Sequence, residues 1–143
     1  MTLRDKAWQV PLRLAAGAFV LNSGVSKWDA DDAQAKQLQQ FAAGVYPMMN
    51  EVDPRTFVTA LSASEIAIAT AVLLPTVSAT IAGLGITAFS AGLVGLYWRT
   101  PGMHQDNSLR PTEQGISLVK DVWLLAMGAS LIVGGLTGRK KRS

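Results

Sequence analysis

Cysteine is absent from the chain, which excludes disulfides, thiolate metal sites, iron–sulfur ligation and thiol redox chemistry carried by its own residues. Histidine occurs once, as His104 in a polar loop. Neither bis-imidazole haem ligation nor a His/Glu metal site has the residues it needs. No glycine-rich phosphate loop follows a strand, and no Ser/His/Asp set suggests a nucleophile, so no catalytic residue and no metal ligand is assigned. Charge is also scarce. Only 16% of the residues are Asp, Glu, Lys or Arg, against about a quarter in soluble domains. The net charge of +3 is no nucleic-acid signature, because the densest basic cluster, Arg139–Arg142, is a short tail behind an apolar segment.

What the chain has instead is apolar residues in long blocks, where a soluble amphipathic helix would spread them periodically. At 143 residues there is room for one domain. The blocks predict an all-α polytopic membrane protein: a four-helix bundle with spans at about 10–26, 57–74, 76–98 and 115–136. Loops at about 27–56 and 99–114 connect them on one side of the membrane. The basic start before the first block resembles a signal peptide, but Arg13 and Asn22 interrupt the apolar run and no A-x-A-like site follows it. It is therefore expected to be a helix, bracketed by Trp8 and Trp28 as an interfacial aromatic belt would be.

The first loop opens with Asp29, Asp31 and Asp32, any of which suits a helix cap, and Gln34–Ala43 has helical composition. A short extracytoplasmic helix is expected there, followed by Tyr46, Pro47, Met48 and Met49 as an apolar hook folded back on the bundle. Only a residue or two separates the second and third spans, which makes them expected antiparallel neighbours. In the third span Gly85, Ala88, Gly92 and Gly95 give one nearly bare face. With Gly17 and Gly24 in the first helix and Gly128 in the fourth, these glycines are the expected helix-packing positions. With an even number of spans both termini share a side. Arg4, Lys6 and Arg139–Arg142 make that side cytoplasmic by the positive-inside rule.

Within this apolar framework the charges stand out. A carboxylate near mid-membrane costs several kcal/mol (roughly 2.5–3.5) unless it finds a partner or water. Glu65 lies roughly 12 Å along its span from Phe57, and Lys120 roughly 7–8 Å along the fourth from Gly115, so the two are within reach of each other. Arg13 approaches Glu65 from the opposite leaflet. Arg13, Gly17, Val20, Gly24 and Lys27 share one face of the first helix. Asp121, turned about 100° from Lys120, is expected to seek a base on the first helix. Arg13, Lys27, Glu65, Lys120 and Asp121 thus form an intramembrane polar cluster. It is either a structural ion-pair network or a pocket for a headgroup, a quinone ring or a proton.

RLAAGAFVLNSGVSKW (Arg13–Trp28) resembles the opening motif of the DoxX-like four-helix membrane proteins. Glu65 followed by a short turn and a glycine-rich third span is similar to their layout, as is LVKDVWLLAMGASL (Leu118–Leu131) to their fourth helix. Positions matching the pattern are Arg13, Gly24, Ser26, Lys27, Glu65, Lys120 and Asp121, while Trp28 stands where the family has leucine. The resemblance implies a bacterial or archaeal cytoplasmic-membrane protein. Its relatives serve quinone-linked oxidation of sulfur compounds, redox-stress complexes with soluble enzymes, or membrane-protein assembly. A chain without cysteine cannot itself carry a sulfur relay. The first expectation is therefore a non-catalytic accessory, binding or assembly subunit, with membrane lipids and other subunits or further copies of itself as partners. The alternatives are a quinone-linked oxidoreductase subunit, for which quinone is the one cofactor to consider, and a lipid- or isoprenoid-binding bundle.

Overall fold

The computed structural model describes residues 6–102, 105–106, 108, 110, 112–113, 115 and 121–140, with side chains as far as 138. Among the described residues the fold is all-helical, with five α-helices and no strand. A 3-10 turn at Ala7–Gln9 leads into α1 (Val10–Trp28), with Pro11 in its first turn, where a missing N–H costs nothing. Asp31 caps α2 (Asp32–Ala43): its carboxylate accepts the Gln34 N–H at 2.8 Å, and the Gln34 side chain accepts the Asp31 N–H in return. A 3-10 turn at Pro47–Glu51 follows. Helix α3 (Pro54–Leu73) begins three residues before the expected Phe57, because Asp53 caps it at 3.0 Å from Thr56 N and Pro54 occupies its first position.

The join to α4 (Ala79–Arg99) is Leu74–Ser78, longer than the one or two residues expected. Proline 75 ends one helix, and the Ser78 hydroxyl caps the next at 3.2 Å from Ile81 N. The fourth apolar block was expected to be helical from Gly115. Gly115 instead lies in a turn, its N–H donated to Thr112 O at 3.0 Å, and the described helix, α5, covers Asp121–Lys140.

Pairing differs from the sequence expectation too. Although consecutive, α3 and α4 touch only lightly; the close pairs are α1 with α3 and α4 with α5. Backbone proximity selects these pairs. A Cβ on Gly24 would stand 2.9 Å from Ile66 Cγ1 and 3.0 Å from Glu65 Cβ, and one on Gly17 would stand 2.6 Å from Leu73 Cγ. Between α4 and α5 the contact is backbone on backbone: a Cβ on Gly83 would lie 2.7 Å from Gly128 O, and one on Gly128 would lie 3.0 Å from Thr87 N. Such small-residue contacts are the usual adhesive between membrane helices. The two pairs meet around Ala16, Val20, Ala69, Val72, Ala82, Ile86 and Leu124. Ala30, Ala35 and Val58 seat α2 on the start of α3.

Of the other expected packing glycines, Gly85 meets Ile68 at ordinary contact distance and Gly95 lies under the Tyr46 hydroxyl. Gly92 has nothing within 4 Å. A paired measurement follows. Gly128→Ala is expected to lose about 1–3 kcal/mol, because its Cβ would meet the Thr87 hydroxyl oxygen and, behind it, Thr87 N and Gly83 O of the neighbouring backbone, which cannot step aside. Gly92→Ala should gain up to about 0.5–1 kcal/mol of helix propensity. Unfolding of both variants in mild detergent, followed by circular dichroism, checks the contrast.

Helices α3, α4 and α5 are long and apolar enough to cross a membrane, with mean hydropathies of 1.6, 1.7 and 1.4 over their spanning windows. Large apolar side chains point outward all round, among them Leu14, Val25, Ile81, Leu84, Trp123 and Val133. This is the composition of a membrane protein.

Candidate functional site

The inner stripe of α3 runs Val58, Ser62, Glu65, Ala69, Val72, spaced alternately four and three residues apart. Glu65 therefore faces the bundle interior because of its position in the helix period, and it is 1% exposed. The matching stripe of α1 is Arg13, Ala16, Gly17, Val20 and Gly24, ending at Lys27. The two helices are antiparallel, so the ends of this stripe reach opposite ends of α3.

Lys27 reaches Glu65. Its Nζ donates to both carboxylate oxygens at 3.1 Å, and also to Ser23 O at 3.3 Å and to the Ser23 hydroxyl oxygen. Close by, the Ser62 hydroxyl donates to Gly24 O at 2.6 Å, locking the two helices at that level. An ammonium has three protons to give, so the donors of Lys27 are fully engaged. The carboxylate of Glu65 offers about four acceptor sites; Lys27 fills two of them.

Arg13 does not meet Glu65. Its guanidinium lies at the other end of α3 and donates to Val72 O at 2.9 Å, Leu74 O at 3.1 Å, Val77 O at 2.7 Å and Gln9 Oε1 at 3.0 Å. The three backbone carbonyls belong to the last turn of α3 and the turn beyond it, where a helix leaves acceptors unpaired and favours positive charge. Arg13 is thus a clamp on the α3–α4 turn, 7% exposed, and Lys6 adds a bond to Pro75 O at 3.2 Å. Asp121 is buried in the first turn of α5. Lys120, the partner expected for Glu65, lies outside the described residues, as does His104.

Between the two helix pairs is a partly open cavity of about 500 Å³. Phe19, Phe57, Leu61, Phe89 and Leu93 form its apolar walls. Helix α2 and the turn after it supply the rest through Leu38, Phe41, Tyr46 and Met49. The Tyr46 hydroxyl donates to Gly92 O at 3.3 Å, so the hook does fold back onto the bundle, as a strap across this space. Among the described residues, Ser23, Lys27, Glu65, Asp121 and the Tyr46 hydroxyl are the polar groups on its lining. An apolar chamber with a few convergent polar groups is the usual form of a small-molecule site, for which about 300–1,000 Å³ is typical.

Sequence reasoning named Lys27, Glu65 and Asp121 but brought Arg13 to Glu65, where the structure puts Lys27; the Lys120 pairing falls outside the described residues. It missed Ser23, although a hydroxyl four residues before a lysine on one helix is a readable signal. It also missed Gly83, which with Ala79 and Thr87 recurs every four residues along α4. Among the described residues no group of three or more His, Asp or Glu side chains is placed to hold a metal. No family model, curated protein or solved structure matches the chain.

Proposed function

We propose that this chain is a non-catalytic binding protein of a membrane, a four-span bundle of the DoxX-like kind, whose interior cavity takes up a small amphiphile from the bilayer. The observation that carries the proposal is the chamber itself. Its walls are aromatic and aliphatic, and it ends on the Lys27–Glu65 pair, whose buried carboxylate accepts from Lys27 alone among the described residues. Helix α1 serves as the fourth span. Its 19 residues extend about 28 Å, close to the thickness of a hydrocarbon core. Its modest hydropathy comes from Arg13 and Lys27, both of which turn inward and are satisfied there, while Val10, Leu14, Ala18 and Val25 face out. The basic terminal segments favour a cytoplasmic-membrane location with both termini cytoplasmic.

Docking through glycine faces is the other form an accessory role would take. Gly17, Gly24, Gly83 and Gly128 are all spent on contacts within the chain.

The test is purification of the full chain in mild detergent, with copurifying small molecules and proteins identified by mass spectrometry. A small amphiphile is expected in near-equimolar amount with the wild type and lost from Gly92→Leu, whose side chain would grow into the cavity. A stoichiometric protein partner with no small molecule would replace this function by one in complex assembly. A copurifying quinone would favour the quinone-linked alternative.

A further inference from the structure

The polar end of the cavity specifies more than an amphiphile. Lys27 has no donor left to give, since its three protons are shared among two Glu65 oxygens and the two oxygens of Ser23. A ligand headgroup that only accepts hydrogen bonds must therefore break the ion pair or go unsatisfied at Lys27. Glu65 is in the opposite condition. It is 1% exposed, Lys27 is its only donor among the described residues, and it forms part of the cavity wall. Ser23 completes the site. Its oxygen accepts from Lys27, which leaves its own proton available, and it too is on the wall. Ser23 and Glu65 touch the same Nζ, which places them close enough for one small group to bridge them.

From this inventory we infer that the cavity selects an amphiphilic alcohol: an apolar chain or ring system carrying a hydroxyl that donates to Glu65 and accepts from Ser23. The inference rests on the binding function proposed above and adds the chemistry of the ligand's head. A hydroxyl is the smallest neutral group that gives one proton and takes one. A ketone or a quinone accepts only, leaving the remaining acceptor sites of Glu65 unfilled. A primary ammonium donates only, leaving the Ser23 proton unused. A carboxylate or phosphate would set negative charge against Glu65, with Asp121 also on the wall. The apolar remainder of the ligand lies among Phe19, Phe57, Phe89 and Leu93.

The test uses the full chain in lipid nanodiscs with tritiated dodecanol as probe. Dodecylamine, a methyl ketone of equal chain length and decylubiquinone are the competitors, and the matched chains of the alcohol, amine and ketone keep their bilayer partitioning comparable. Dodecanol is expected to bind at least about tenfold more tightly than the ketone, the scale of a hydrogen bond to a charged group. Ser23→Ala should narrow its advantage over the amine, and Gly92→Leu should abolish binding of every probe. Competition by the ketone, the quinone or the amine at concentrations equal to or below that of dodecanol overturns the alcohol assignment while leaving a binding cavity in place. Absence of saturable binding by any probe, with Gly92→Leu indistinguishable from wild type, overturns the cavity function as well.

Discussion

Arg13→Met is expected to lower stability by about 3 kcal/mol or more, the largest effect of any single substitution at this end of the bundle. The side chain lost is nearly isosteric along its stem, so packing changes little. What goes is the donor fork that serves Val72 O, Leu74 O, Val77 O and Gln9 Oε1. Each buried acceptor left without a donor costs roughly 1–3 kcal/mol. Arg13 is 93% buried, so water cannot fully take its place without opening the helix pair. Arg13→Lys retains the charge at the α3 C-terminus but has three donors and no planar fork, and should recover about half of the loss. Leu14→Ala, one position along on the outward face, should change stability by less than about 0.5 kcal/mol. Denaturation of the three variants by increasing SDS in a mild-detergent background ranks them. If Arg13→Met falls within about 0.5 kcal/mol of wild type, the carbonyls are hydrated and Arg13 is no clamp.

That role was not legible in the sequence, and the reason is physical. An arginine among apolar residues announces that it needs partners, and side-chain carboxylates are the partners a sequence displays. Backbone carbonyls at a helix end are equally good acceptors but carry no residue signature, so Arg13 was matched to Glu65. Helix pairing was obscured in a similar way. Chain adjacency across Pro75 suggested α3 beside α4, but the contacts that select neighbours are close backbone approaches. These occur at Gly17 and Gly24 for one pair and at Gly83 and Gly128 for the other. What the sequence did display was whatever depends on local period and caps. The helical segments, an aspartate cap among Asp29, Asp31 and Asp32, the inward phase of Glu65 and the common face of Arg13 and Lys27 all follow from residue spacing along single helices. The cavity depends on how two pairs of helices splay apart, which no single helix encodes.

The second large effect is an asymmetry within the Lys27–Glu65 pair. Lys27→Met is expected to lose about 3–5 kcal/mol, because it strands a carboxylate that is 1% exposed. Glu65→Gln should lose less, about 1–3 kcal/mol. Lys27 is 21% exposed at the last turn of α1, keeps its bonds to Ser23, and has a flexible stem that can carry its charge toward water. The double variant, Lys27→Met with Glu65→Leu, removes both charges at once and fills their space with apolar atoms. Buried ion pairs replaced in this way often lose nothing, so its stability should return to within about 1–2 kcal/mol of wild type. Its dodecanol binding should be absent. Stability curves and probe binding on the same three proteins therefore separate two roles that coincide in the native chain. A double variant that folds well and no longer binds makes the pair a recognition element that the fold itself does not require. A double variant as unstable as Lys27→Met means that the charges hold α1 against α3 in a way apolar packing cannot replace. The spare acceptor sites of Glu65 would then be a by-product of that structural bond.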